Sequence, residues 1–327
     1  MFVNPFFVNI FILPLNSALS SKSAHTESLR FTFAFEGSII KYRRYFIERN
    51  YTMGIILGID VGGSTTKIVG MRPDRTLIST MMVKAYDQLT SLYGALGNYM
   101  DTNKLPLSEV EKIYITGVGS SYLSGNIYGI PTERIEEFSA IGKGGLWLSG
   151  INQAIVVSMG TGTAFVEAKG NEYKHIGGSG VGGGTLIGLG CRLTNANDFE
   201  SICRLADGGS LKNVDLTIGA ISKETISTLN AEITAANFAN LNSLTTESDI
   251  ALGLVNMVLQ TVFTLGVFAA RATDMPEGPI VLTGSLTGLK QIDDTRKAFS
   301  VLYPNKFILP PHAAFATAIG SALHGCM

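Results

Sequence analysis

The chain has 327 residues and a mass of 34.9 kDa, more than one ordinary compact core holds, so two domains or one two-lobed enzyme is expected. Hydrophobic residues make up 46% and charged residues 16%, which excludes intrinsic disorder. A net charge of −1 and a pI near 6.4 exclude a whole-molecule pull toward nucleic acid or an anionic membrane, and the three cysteines lack the paired spacing of a disulfide framework, a zinc site or a cluster, which fits a reducing cytoplasm.

Residues 1–52 differ in composition from the rest. They hold eight of the 17 phenylalanines, six Lys/Arg against three Asp/Glu, and only one of the 37 glycines. Phe2 to Leu15 is apolar but carries Pro5 and Pro14, lacks the basic start of a secretory signal, and is too short to span a bilayer. Translation is therefore expected to start at Met53, with 1–52 an upstream extension; a weak signal or membrane anchor is the alternative.

From Met53 onward, Gly54 to Val61, Lys67 to Met71 and Thr76 to Val83 read as three strands joined by short turns, hence an antiparallel meander. Tyr86 to Tyr99 has helical spacing, Lys112 to Thr116 is a further strand, and a helix is predicted over Ser139 to Leu148. The opening pattern then recurs as strands Ala154 to Ser158, Ala164 to Ala168 and Glu172 to Ile176. Two copies of strand, Gly/Thr turn and strand imply two lobes on one plan, 53–150 and 151–327, with a cleft between them. Ile250 to Ala270 approaches the length of a membrane span, but Asn256, Gln260 and Thr264 form a polar stripe that favours a buried helix of a soluble protein. Strand Ile280 to Leu282, helix Thr287 to Phe299, strand Lys306 to Leu309 and a small-residue helix from Ala313 to His324 complete the chain.

Three glycine-rich turns carry the chemistry. Asp60 closes a strand and Gly62, Gly63, Ser64 and Thr65 follow, where glycines admit backbone N–H groups to an anion and hydroxyls add donors. Asp60 would orient a magnesium ion and Lys67 would offset phosphate charge. A plain β-hairpin, its glycines serving turn geometry alone, is the other reading of that segment. Gly160, Thr161, Gly162 and Thr163 repeat the logic, so two turns would clamp one phosphate chain. Gly177-Gly178-Ser179-Gly180-Val181-Gly182-Gly183-Gly184 then feeds a helix N-terminus, whose unpaired N–H groups suit an anion; no Walker Gly-Lys-Ser/Thr follows.

The order of the Asp60 hairpin, Thr116-Gly117, Gly160-Thr161-Gly162-Thr163, Thr283-Gly284-Ser285 and the last Ala-rich helix resembles the actin and sugar-kinase superfamily. Asp60-Val61-Gly62-Gly63-Ser64, Glu137-Phe138, the two glycine runs at 177–178 and 182–184, and Thr234-Ala235-Ala236-Asn237-Phe238 are similar to type II pantothenate kinases, over essentially 53–327. The resemblance implies an α/β, two-lobed ribonuclease H-like (actin-like ATPase) fold with duplicated ATP-binding lobes, a dimer-forming helix in the second lobe, and a last helix packing back toward the cleft. It implies a cytoplasmic homodimer that phosphorylates pantothenate with ATP and Mg²⁺, the first step toward coenzyme A, without nucleic-acid or membrane partners. Glu137 would be the general base, Asp60 the metal residue, and Gly284 and Ser285 would join the other turns around ATP. From charge alone, Glu137 reads as a solvated carboxylate at a helix start, like Glu133 and Glu136 beside it, and only the motif reverses that. His175 stands where the family has an arginine before the first Gly-Gly, so His175, Gly177 and Gly178 would face the substrate with altered donors. The alternatives are an amino-sugar kinase and a nucleotide-gated activator ATPase of the same superfamily.

Overall fold

The computed structural model describes residues 54–85, 87–222 and 231–326; the expected extension over 1–52 lies outside them. Runs of β-branched and aliphatic residues give β1 (Ile55–Val61), β2 (Thr65–Met71) and β3 (Leu77–Lys84), an antiparallel meander with Asp60 opposite Lys67 and Thr65 opposite Lys84. Helix α1 (Gln88–Thr102) starts at Asp87, whose carboxylate accepts from the Thr90 amide, and buries Leu92, Leu96 and Tyr99 against Leu57, Ile59 and Ile68. Strands β4 (Val110–Thr116) and β5 (Thr132–Arg134) add in parallel on the other side of β1, giving the order β3-β2-β1-β4-β5. Helix α2 (Glu137–Ser149) follows.

The second sheet repeats this plan. Strands β6 (Gln153–Met159), β7 (Thr163–Lys169) and β8 (Glu172–Ser179) form the antiparallel part. Then come α3 (Gly183–Leu193), α4 (Phe199–Ala206), β9 (Leu216–Thr217), α5 (Ile218–Ile221), β10 (Thr234–Ala236) and α6 (Glu247–Arg271). Strand β11 (Ile280–Thr283) pairs in parallel with β6, α7 spans Ile292–Leu302, β12 (Phe307–Ile308) pairs in parallel with β11, and α8 (Ala316–Ala322) ends the fold. The order β12-β11-β6-β7-β8 matches that of the first sheet element for element.

The helix following each sheet's fifth strand leaves that sheet. Helix α2 packs Ile141 and Leu146 on Val156, Val166 and Val281 of the second sheet, while α8 packs Ala318 and Ala322 on Ile56 and Val69 of the first. The two helices cross where Gly144 faces the Ala316 carbonyl and Gly320 faces the Ala140 carbonyl, so closely that a Cβ on either would lie within 2 Å of backbone oxygen. Residues 53–327 accordingly form one compact unit.

Helix α6 is long and apolar enough to cross a membrane, yet it buries Leu254, Val258 and Val262 against Val157, Ile280 and Leu282 as a core helix. Its polar stripe has partners: Asn256 donates to the Asp215 carboxylate at 2.7 Å, and Gln260 accepts from Asn237 at 3.4 Å. The helix expected from Thr287 is divided. A 3₁₀ turn covers Ser285–Gly288, its Thr287 and Leu289 amides donating i→i−3 to the Gly284 and Leu286 carbonyls, and α7 begins only at Ile292 because Leu289 is extended (φ −69°, ψ 132°). The final helix likewise opens with a 3₁₀ turn at Ala313–Phe315.

Candidate active site

The β1–β2 turn is closed by the Gly62 amide donating to the Thr65 carbonyl at 3.0 Å, which leaves Gly63 and Ser64 at the tip. Just behind it, Asp60 and Lys67 face each other on neighbouring strands, Nζ to Oδ2 3.8 Å, and both are buried. Among the described residues Asp60 accepts no hydrogen bond, and burial pushes its carboxyl above the ordinary range, partly offset by the Lys67 charge. Gly117, at φ +87°, lies directly under this carboxylate, and a Cβ there would come within 2.7 Å of Asp60 Oδ1.

The β6–β7 turn is also closed by a backbone bond, a tighter one, with the Gly160 amide donating to the Gly162 carbonyl at 2.9 Å. The two tips meet: Ser64 Oγ and Thr161 Oγ1 share a hydrogen bond of 2.9 Å. Behind the second tip, Gly182, Gly183 and Gly184 lie against the turn, and the Gly183 and Gly184 amides donate to the Gly160 and Thr161 carbonyls at 2.9 and 2.8 Å. Two of the α3 amides expected to face an anion are thus bonded to the turn, which they brace. Thr163 donates to the Val181 carbonyl, and Gly284, at φ +92°, rests on the Met159 backbone, with Ser285 opening the 3₁₀ turn beyond it.

Glu136 and Glu137 have different roles. Glu136 is the N-cap of α2, with an extended backbone (φ −61°, ψ 131°) and a carboxylate accepting from the Phe138 and Ser139 amides at 3.0 and 2.6 Å. That leaves the half-buried Glu137 without a capping duty. Burial lifts its carboxyl first, and the charges of Asp60 and Glu136 lift it further, so Glu137 senses the Asp60 carboxylate across the site. The next ring, Phe138, stacks on His175 with centroids 4.0 Å apart and planes 11° from parallel. His175 is exposed on the edge strand β8, beside a bulge between its pairing with Val166 and the Gly177–Phe165 pair. Gly178 follows it close to the Thr163 carbonyl, while Gly177 has open space where a side chain would be.

A model of the family described as Fumble matches residues 150–323. The chain belongs to the Fumble family. It is 29% identical over 280 residues to a protein of Staphylococcus epidermidis named type II pantothenate kinase, covering 81% of this chain and 98% of the relative. A Staphylococcus aureus protein of the same name is 27% identical over 278 residues, 82% of this chain and 99% of that one. Among solved structures, the activator of 2-hydroxyisocaproyl-CoA dehydratase from Clostridium difficile with bound ADPNP superposes with a TM-score of 0.60 at 15% identity, covering 83% of this chain and 94% of that one. A ROK family glucokinase from Streptomyces griseus with glucose and AMPPNP gives 0.51 at 14%, covering 82% and 98%. These two likenesses establish the actin-like ATPase fold.

The Glu-Phe motif singled out Glu137, whereas charge alone did not set it apart from Glu136, and nothing in the sequence pointed to the Phe138 ring on His175. It also missed Asp215, a buried carboxylate that accepts from Thr234, Asn237, Asn256 and the Phe238 amide and so fixes the Thr-Ala-Ala-Asn-Phe segment of this Fumble-family chain. Asp198 was legible in principle, since Asp followed by Ser201 three residues on is an N-cap pattern, and the structure places it at the start of α4.

Proposed function

We propose that the chain transfers the γ-phosphoryl group of ATP to the hydroxyl of pantothenate, giving 4′-phosphopantothenate in the first step of coenzyme A biosynthesis. The observation that carries the acceptor is the likeness, over nearly their whole length, to relatives named type II pantothenate kinase. In this reading Gly62, Gly63, Ser64 and Thr65 face Gly160, Thr161, Gly162 and Thr163 across the phosphates, with Gly182, Gly183 and Gly184 bracing the second turn and Gly284 and Ser285 closing the nucleotide side. Ser64 and Thr161, now bonded to each other, exchange that bond for phosphate oxygens.

The residues present fit a magnesium ion: one buried carboxylate without an internal hydrogen-bond partner, beside a lysine, suits a cation that takes one or two carboxylates and completes its shell with water and phosphate. Asp60 would hold it, and when bound it neutralises charge on the phosphates. Lys67 offsets further charge from within the strand pair. Glu137, its carboxyl raised above the ordinary range by burial, takes the proton from the acceptor hydroxyl. His175, fixed by the Phe138 ring next to Glu137, offers ring nitrogens to the acceptor beside Gly177 and Gly178. The enzyme acts in the cytoplasm as a homodimer, with the domains at 53–150 and 151–327 as its two lobes.

The full chain, supplied with labelled ATP, Mg²⁺ and either pantothenate, N-acetylglucosamine or no acceptor, should label pantothenate alone. Label on the amino sugar instead, or ATP consumed without any acceptor, would overturn this assignment.

A further inference from the structure

The duplication supplies an internal control for every residue at the strand ends. In the first half, Lys67, Asp60 and Thr116 lie in one row across β2, β1 and β4, since Asp60 pairs in register with both others and register partners share a face. The equivalent row of the second half is Ala164, Ser158 and Thr283. Both threonines are fully buried, and both precede a glycine of positive φ. Their hydroxyls differ: Thr283 Oγ1 donates to the Val157 carbonyl at 3.1 Å, whereas Thr116 Oγ1 has no partner among the described residues. A buried hydroxyl left unpaired destabilises a fold unless something outside the chain supplies its partner. Where the row carries no charge, the threonine bonds inward. Where it carries Asp60 and Lys67, the threonine is held unbonded beside them.

We propose that Thr116 is a further residue of the nucleotide site, its hydroxyl donating to an oxygen of the metal–triphosphate complex, either a phosphate oxygen or a metal-bound water. The inference rests on the reading of Asp60 and Lys67 as the phosphate and metal end of that site. Gly117 supports the same geometry, for its left-handed backbone keeps the chain against the Asp60 carboxylate immediately after Thr116. Thr66 separates this role from a general effect of orphaned hydroxyls. Its Oγ1 is also buried and unpaired, but strand alternation puts it on the opposite face from Lys67 and Asp60.

The test compares full-length Thr116→Val, Thr66→Val, Thr283→Val and Asp60→Asn by thermal melting, first alone and then with the non-hydrolysable analogue AMPPNP, with and without Mg²⁺. Without nucleotide, Thr116→Val should melt at or above wild type and Thr283→Val below it. With Mg²⁺ and AMPPNP, Thr116→Val should lose most of the nucleotide-induced rise in Tm, equivalent to roughly ten- to a hundredfold weaker binding. Thr66→Val and Thr283→Val should keep that rise, and Thr116→Ser should restore it. A loss that persists without Mg²⁺ assigns the contact to a phosphate oxygen, and a loss confined to Mg²⁺ assigns it to a metal-bound water. A folded Thr116→Val protein that retains the full rise overturns the proposal; Thr116→Ala serves the same comparison should the valine form fail to fold. If Asp60→Asn also retains the full rise, the underlying reading of the site fails with it.

Discussion

Asp60 illustrates how burial and chemistry oppose one another at a single side chain. Burial raises its carboxyl and Lys67 only partly offsets this, so the folded state holds the proton more tightly than the unfolded chain does. Such a group contributes stability below the ordinary carboxylate value, and that contribution is lost as pH rises through the raised one. At neutral pH, Asp60→Asn should therefore melt at or above wild type, the advantage should vanish in acid, and turnover should fall by orders of magnitude; melting far below wild type at every pH would contradict this. Glu137 is shifted in the same direction. Replacing it with glutamine keeps size and polarity but removes the base, so turnover should drop by ~10²–10⁴-fold with the ATP-induced rise in Tm unchanged. An unchanged rate would remove Glu137 from the chemistry. Glu136→Ala should show the reverse pattern, near-normal turnover with a lower Tm from the lost α2 cap, a loss typically of about 1 kcal/mol. Charge alone does not distinguish these two glutamates; the Glu-Phe motif singles out Glu137, and the backbone angles of Glu136 decide which carboxylate turns back onto the helix.

Elements with a strong hydrophobic period were legible at the sequence level, and those whose form depends on distant contacts were not. The strands β1, β2, β6 and β7 announce themselves as apolar runs closed by Gly/Thr turns, and Gly62, Gly63, Gly160 and Gly162 lie in those turns as read. Strand β5 has three residues and β9 two, too short to carry a period, so pairing with a neighbour alone defines them. The meeting of Ser64 with Thr161 and of Phe138 with His175 depends on how the two sheets are assembled, which no local pattern encodes. Helix α6 shows both cases. Its amphipathic stripe was readable, but its start is fixed by Asp249, which accepts from the Thr246 amide and hydroxyl and from the Ser210 amide. Those bonds, the Thr246 amide first, lower the Asp249 carboxyl to about 2. A lowered carboxyl contributes stability above its unfolded value and loses it as pH falls toward the folded one. Asp249→Asn should therefore lower Tm at neutral pH and converge with wild type near pH 2; a constant difference across that range would assign the effect to packing instead.

The molecule as a whole is held together by exchange. Each sheet sends the helix after its last strand to the other, and α2 and α8 cross at Gly144 and Gly320, so neither sheet can open without exposing a face covered by a helix that the other sheet anchors. Lys84 adds a polar tie between the sheets' surroundings, pairing with Glu200 at 2.9 Å and Asp198 at 3.2 Å, but it is half exposed and solvent screens such a pair. The helix crossing therefore decides how the fold opens. Gly320→Ala tests this, because helix propensity alone would favour alanine by roughly 1 kcal/mol. Against that, the new Cβ would meet the Ala140 carbonyl at 1.8 Å, backbone that cannot turn aside, and overpacking of this kind costs about 1–3 kcal/mol or more. The clash should win. Native-state hydrogen exchange resolves the consequence strand by strand: core amides of β1 and β2 and of β6 and β11 should share one opening free energy in the wild-type protein, and Gly320→Ala should lower all of them by the same amount. Exchange that rises in one sheet while the other keeps its protection would show that the lobes open separately and that the crossing does not couple them.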